Sequence, residues 1–412
     1  MVEPVEQLLA EFLIDHPTPD DLRGRTRLLV LQGTPFCNIA CHYCYLPDRG
    51  NRARMAPDTV HAALRWLETS GLAAPELAVV WHAGEPLTLP VDWYRDAFAA
   101  AAAARPAGAV LKHCIQTNAT LVDDRWCALF REYGVQIGVS LDGPARLHDA
   151  QRRTRAGSGT HGAVMRGVAA LQRHRVPFHA ICVVGDAALD APEELVEFFA
   201  AHDILEIGFN VEEVEGVHTR SSLSPGRAGR FRGFFGRAWS RAEALGVEIR
   251  EVRTILAGLQ QPPAGAWPGN DQNMPFDIVT VTHDGRIHTF SPELAGLEHP
   301  RIGSLALGNV LTSTLQQVLD GPVFRQAWAE IAAGVAACAR GCAYFPLCRG
   351  GAPSNKVGEL GSFAGTETMA CRLGHQEIAE VVLQRILQDI DQGPHVPISG
   401  SPHNLDKISV YL

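Results

Sequence analysis

The stretch Cys37-Asn-Ile-Ala-Cys41-His-Tyr-Cys44 follows an apolar run, Leu28-Leu-Val-Leu-Gln-Gly-Thr34, and its reading governs the rest of the chain. Three thiols share one loop. Thiolates this close are the ligand set of a soft metal centre, and three are what a cubane iron–sulfur cluster needs if its fourth iron is to stay open for a small molecule. A structural zinc site is closed and tetrahedral and would want a fourth close ligand. His42 sits between Cys41 and Cys44, where its ring would turn away from their common focus.

Working outward, strand-like apolar runs fall at 28–34, 77–82, 109–117, 135–141, 178–184 and 204–210, with helical patterns at 57–69, 91–104, 123–132, 161–174, 192–201 and 226–244. Alternating units with near-continuous apolar strands predict an α/β fold with a parallel sheet covered by helices. Six units are fewer than a closed barrel needs, so residues 26–259 read as a partial (β/α)6 TIM-like barrel. Chemistry in such architectures collects at the carboxyl ends of the strands, where the three-cysteine loop falls. Residues 1–25 form a lead-in with a short helix over 5–14, and the Pro/Gly-rich stretch 260–273 reads as a linker. A smaller unit spans 274–392, with a hairpin over 278–289 turning at Asp284-Gly285, helices at 313–333 and 376–390, and a second group of cysteines. The tail is 393–412.

The 412 residues carry a formal charge of −9 and a pI near 6.0, which gives no basic field for a nucleic-acid backbone. No basic region precedes an apolar stretch at the amino end, and the longest apolar run, Ala97 to Ala104, is too short to span a bilayer. The expected setting is cytoplasmic, with no membrane and no nucleic-acid partner. Seven of the ten cysteines fall into two groups, leaving Cys114, Cys127 and Cys182 as spare, structurally buried thiols. Grouped cysteines in an intracellular enzyme are more often metal ligands than disulfides.

The spacing Cys37-x-x-x-Cys41-x-Tyr43-Cys44 resembles the signature of the radical S-adenosylmethionine (SAM) enzymes. The resemblance implies a [4Fe-4S] cluster on the three cysteines, SAM on its open iron, and Tyr43 lining the adenine pocket. His82-Ala83-Gly84-Glu85-Pro86, closing the second strand, resembles the family's GGEP motif, which receives the SAM amino group; Ala83 stands in place of the first glycine. Ser140-Leu-Asp142-Gly143 and the later Arg152 resemble the segment of peptide maturases that meets the SAM ribose and carboxylate. Gln116, Thr117 and Asn118 are further pocket candidates at the end of the third strand.

Cys338, Cys342, Cys348 and Cys371 resemble part of the SPASM extension of these maturases, and four cysteines saturate one auxiliary [4Fe-4S] cluster. Phe290-Ser291 and Ala352 stand where a second auxiliary cluster would want cysteines, so one is expected. Stretches such as Tyr45-Leu-Pro-Asp-Arg49 and Tyr344-Phe-Pro-Leu-Cys-Arg-Gly-Gly-Ala-Pro353 are similar to the GrrM/OscB type, which implies three-residue cyclophane crosslinks in a ribosomally synthesised precursor peptide. The implied reaction starts from a 5′-deoxyadenosyl radical and needs an electron donor such as flavodoxin or ferredoxin. Glu293 and Asp277 are the candidate proton acceptors. Peptide epimerisation, thioether formation and sulfatase maturation share these motifs and remain alternatives, with a non-catalytic peptide-binding adaptor the least favoured. Strand addition to the hairpin near Asp284 is one expected mode of peptide capture.

Overall fold

The computed structural model describes residues 16–260 and 269–391; the short helix at 5–14, most of the stretch 260–273 and the tail lie outside them. The strands are β1 (Thr26–Leu31), β2 (Ile39–Cys41), β3 (Ala73–Trp81), β4 (Val110–Thr117), β5 (Gln136–Ser140), β6 (Arg152–Thr154), β7 (Phe178–Val184), β8 (Glu206–Val211), β9 (Glu248–Ile249), β10 (Ile278–Val281), β11 (Arg286–Thr289), β12 (Glu298–His299), β13 (Gly303–Ser304) and β14 (Gly308–Asn309). Ten of them form one sheet in the order β14-β11-β10-β1-β3-β4-β5-β7-β8-β9. Its centre, β1-β3-β4-β5-β7-β8, is parallel throughout and contains the six strands expected from the apolar runs.

Both faces of these strands are covered, which is why they read as unbroken apolar runs. Leu29 and Leu31 of β1 join the large core between sheet and helices, whereas Leu28 and Val30 face the lumen with Ala78, Val80, Cys114 and Ile278. Helix 57–69 begins with Pro57 at its first turn, where a missing N–H costs nothing, and buries Val60, Ala63, Leu64 and Leu67 at helical spacing. Helix 124–133 is capped by the Asp123 carboxylate, which accepts from the N–H groups of Arg125 and Trp126, and it ends on Gly134 at φ 61°.

The hairpin over 278–289 forms with Gly285 at φ 84° in its turn, but it does not stand in a separate sheet. Its first strand, β10, pairs parallel with β1 in register Leu28 to Ile278, so the carboxyl-terminal part continues the barrel sheet. The outer edge of β11 is already paired with β14, which corrects the expectation that a peptide strand could add there. The helix expected at 313–333 is two, Leu315–Asp320 and Pro322–Gly341, because Gly321-Pro322 cannot continue the first. No described helix is long and apolar enough to cross a membrane.

Candidate active site and a second cysteine site

The three-cysteine loop leaves the carboxyl end of β1 and is clipped in place by a short antiparallel pairing of β2 with β6. The register sets Cys41 directly opposite Arg152. Arg152 is buried, while Arg153 and Arg155 are exposed. Nε and Nη2 of Arg152 donate to the two oxygens of Asp142 at 2.9 and 3.1 Å, and Nη1 lies 3.9 Å from Cys41 Sγ. Asp142 also accepts from Tyr43 Oη at 2.6 Å and from the Val183 N–H at 3.0 Å. The Arg152 guanidinium sits 5.2 Å from the centre of the Tyr43 ring. Asp142 thus orients the arginine and the tyrosine beside the thiols.

Glu85 is fixed as tightly. Its Oε1 accepts from Thr117 Oγ1 at 2.7 Å and Leu87 N–H at 2.9 Å, and Oε2 accepts from the Asn118 N–H at 2.8 Å. A carboxylate offers about four acceptor positions, so one remains on Oε2 for a further donor such as an ammonium. Burial raises the Glu85 pKa, and the three donors oppose that shift. Ala83 and Gly84 both take positive φ, 74° and 61°. A Cβ on Gly84 would come within 2.6 Å of the Thr34 and Phe36 carbonyl oxygens, so only glycine lets this turn lie against the entrance of the cysteine loop. Pro86 opens the next turn and is buried. The Asn118 side chain donates to Asn38 Oδ1 at 2.9 Å and lies 4.0 Å from Cys37 Sγ. Ser140 Oγ, at the end of β5, accepts from Gln116 Nε2 at 2.9 Å.

Burial, reinforced by Glu85, pushes the Cys37 thiol up to about 12, and burial pushes Cys41 up to about 11 against the pull of Arg152. Such thiols ionise at neutral pH only when a metal replaces the proton. Cys37 and Cys41 share one loop with Cys44, and the three cysteines, with a free acceptor on Glu85 and Arg152 alongside, fit a cubane cluster carrying a zwitterionic ligand.

Of the two candidate proton acceptors, only Glu293 comes near this end of the sheet. Asp277 precedes β10 and forms an ion pair with Arg25, which precedes β1, at 2.7 Å. Both therefore sit at the amino edge, about 20 Å from the cysteine loop across the six residues of β1. Sheet direction, not local sequence, excludes Asp277 from the site. Glu293 instead lies within electrostatic reach of Tyr45, as do Glu213 and Glu215, two carboxylates in the loop after β8 that sequence reasoning missed; with burial they hold the Tyr45 hydroxyl well above its usual range. Burial, helped by Glu293, pushes Glu213 up to about 8; burial together with Glu213 and Glu293 holds Glu215 well above the usual carboxylate range, and burial raises Glu293. Asn355 donates to Glu215 at 2.8 Å, whereas Glu293 Oε2 is buried without a partner among the described residues. The Tyr45 hydroxyl lies 3.2 Å from His82 Nε2. The loop is wedged between the two halves of the chain: a Cβ on Gly216 would strike the Tyr45 carbonyl, and one on Gly358 would strike that of Val214.

Cys338, Cys342, Cys348 and Cys371 line a single cavity of about 370 Å³. Cys338 rides on helix 322–341, whose last turn closes with the Cys342 N–H on the Cys338 carbonyl at 2.9 Å. After Cys348, Arg349, Gly350 and Gly351 all take positive φ, turning the chain so that the Gly351 N–H donates to the Cys348 carbonyl at 3.4 Å, and the N–H groups of Gly350 and Gly351 oppose the upward push that burial gives the Cys348 thiol. Asn270 and Asn273 hold this turn through the carbonyls of Cys348, Arg349 and Gly351 at 2.8–3.3 Å. Among the described residues, no three His, Cys, Asp or Glu side chains converge on a point suited to one metal ion. The four thiols surround a volume, with Lys356 Nζ 3.7 Å from Cys338 Sγ and Gln376 Nε2 3.6 Å from Cys371 Sγ, and that donor set fits a cubane. The three spare cysteines are buried, Cys127 and Cys182 in the outer core and Cys114 in the lumen cluster.

Comparison with known proteins shows what the chain is similar to. The family described as the radical SAM superfamily matches residues 31–199. An uncharacterised Synechocystis protein, sll1766, is 38% identical over 87% of this chain and 92% of its own length. A serine-type anaerobic sulfatase-maturating enzyme of Bacteroides thetaiotaomicron is 26% identical over 78% of this chain and 80% of its own. Among solved structures, native anSMEcpe with bound AdoMet and a Cp18Cys peptide superposes with a TM-score of 0.70 at 18% identity, covering 89% of this chain and 99% of that one.

Proposed function

Since the chain belongs to the radical SAM superfamily, and carries a SPASM-like carboxyl-terminal extension, we propose that it oxidises a side chain within a ribosomally made peptide. One observation carries the reading: the buried Glu215 and the half-buried Glu213 and Glu293 act on Tyr45, which adjoins Cys44, while Glu215 accepts from Asn355 on the wall of the four-cysteine cavity, so these carboxylates link the two cysteine sites. When bound, a [4Fe-4S] cluster on Cys37, Cys41 and Cys44 with SAM on its open iron supplies a 5′-deoxyadenosyl radical able to remove hydrogen from an unactivated carbon. Glu85 offers its free acceptor position to the SAM amino group. Asp142 holds Arg152 and Tyr43 where the carboxylate and adenine of that ligand would lie. Cys338, Cys342, Cys348 and Cys371 would hold one auxiliary [4Fe-4S] cluster, a one-electron acceptor. Glu293, one oxygen of which has no partner among the described residues, takes the proton released when the substrate radical is oxidised. The side chain thus loses two hydrogens overall: one atom to the deoxyadenosyl radical, then one electron and one proton. The first electron comes from a donor such as flavodoxin or ferredoxin.

Of the products that share this balance, two are favoured by a specific likeness. The likeness to a serine-type sulfatase-maturating enzyme favours oxidation of a hydroxyl side chain to an aldehyde. The stretches similar to the GrrM/OscB type favour a side-chain crosslink, the cyclophane. Epimerisation has less support, since it needs a hydrogen donor and Cys114, Cys127 and Cys182 are all buried. Mass spectrometry of the peptide encoded beside this gene, after anaerobic co-expression, tests the proposal. Loss of two hydrogens with capture by a hydrazide probe identifies the aldehyde, and the same loss without capture and with blocked backbone fragmentation identifies the crosslink. An unchanged mass refutes both.

A further inference from the structure

Lys356 is one of three lysines in the chain, and it is only 4% exposed. It sits in helix 353–360, and its Nζ donates to Cys338 Sγ at 3.7 Å on the wall of the four-cysteine cavity. Among the described residues, no carboxylate lies within ion-pair distance of Nζ, whose hydrogen-bond partner is the Cys338 sulfur. Glu367, a carboxylate on the same wall, is exposed and is engaged by Arg372 and Gln376. Helix 322–341 passes close by at Gly334, where a Cβ would strike the Phe363 carbonyl at 2.3 Å and stand 3.1 Å from Nζ. A buried ammonium is costly unless an anion compensates it, and neutral thiols do not. Four thiolates on a cubane do.

The geometry points to a role for Lys356 as the fixed counter-charge of the auxiliary cluster: a positioning residue that raises the cluster's reduction potential and so makes it the better electron acceptor. A cation close to the cluster in a medium of low dielectric stabilises the more negative, reduced form over the oxidised one. A lysine suits this task because its charge is compact and carries no rigid fork that must be matched by a carboxylate. The inference rests on the proposal that the four cysteines hold a cluster.

The test uses the full chain with Cys37, Cys41 and Cys44 changed to Ala, so that iron, sulfide and the electron paramagnetic resonance signal report on the second site alone. K356M, K356Q and K356R are titrated against solution potential. In K356M and K356Q the ratio of reduced to oxidised cluster at a fixed potential is expected to fall at least tenfold, about 59 mV for one electron. K356R is expected to stay close to the parent. Assembly failure in both neutral variants, with assembly intact in K356R, equally supports the counter-charge. A K356M midpoint equal to the parent's overturns the inference while leaving the cluster proposal standing. Absence of iron and sulfide from the parent background overturns both.

Discussion

Replacing Asp142 by Asn removes the charge on which the open cysteine site is aligned. In the native arrangement Asp142 is 3% exposed and accepts four hydrogen bonds, two from Arg152, one from Tyr43 and one from the Val183 N–H. An Asn side chain keeps the shape but turns an acceptor into an NH2 donor that meets N–H or O–H groups, and it leaves the 6%-exposed Arg152 as a lone buried cation. Breaking a buried pair from one side costs about 3–5 kcal/mol. The double variant D142N/R152M leaves no unpaired charge and should be less destabilised than D142N alone, a non-additivity of about 1–3 kcal/mol. Urea unfolding under anaerobic conditions, at matched iron content, measures all four corners of the cycle. A D142N variant within 1 kcal/mol of the parent, or a strictly additive double variant, would refute the view that Asp142 is the post on which Arg152 is hung.

Other consequences follow from the same geometry. Glu213 is raised from 4.5 to about 8 in the folded chain, so its contribution to stability is fully present below pH 4.5 and is lost as pH rises through about 8; E213Q should flatten that decline in a set of thermal melts across this range. In E293Q, SAM cleavage without peptide should persist while peptide product falls about a hundredfold or more, the contribution of a single general base; unchanged product formation would remove Glu293 from the proton step. D277N, at the far edge of the sheet, should lose stability through its Arg25 partner yet turn over peptide at the parental rate. D123A removes the cap of helix 124–133 and should cost about 1 kcal/mol with no effect on either cysteine site.

Much of this molecule is legible in its sequence because the central strands are covered on both faces and so announce themselves as apolar runs. The cysteine loop, the Gly84-Glu85 turn and Arg152 could be found because each closes or follows such a run. What stayed hidden depends on pairing between distant segments. That β10 lies beside β1, and that Asp277 consequently sits at the amino edge, follows from sheet order, which no local pattern encodes. The choice of Arg152 over its neighbours is explained by the β2–β6 clip, a three-residue pairing too short to read. Glu213 and Glu215 look like solvated loop acids until the loop is wedged between Tyr45 and the helix at 353–360. Lys356, in the stretch Ser354-Asn-Lys-Val357, reads as a surface lysine; only the fold closes the cavity around it.

The most direct measurement follows the hydrogen. The peptide is prepared with deuterium at the β-carbon of its modified residue, incubated anaerobically with the reconstituted enzyme, SAM and a low-potential reductant, and the 5′-deoxyadenosine is analysed by mass spectrometry. Deuterium in 5′-deoxyadenosine, together with loss of two hydrogen atoms from the peptide (the abstracted one as deuterium), is the predicted result. Processed peptide with unlabelled 5′-deoxyadenosine, or label transferred only from an α-deuterated peptide, would contradict it.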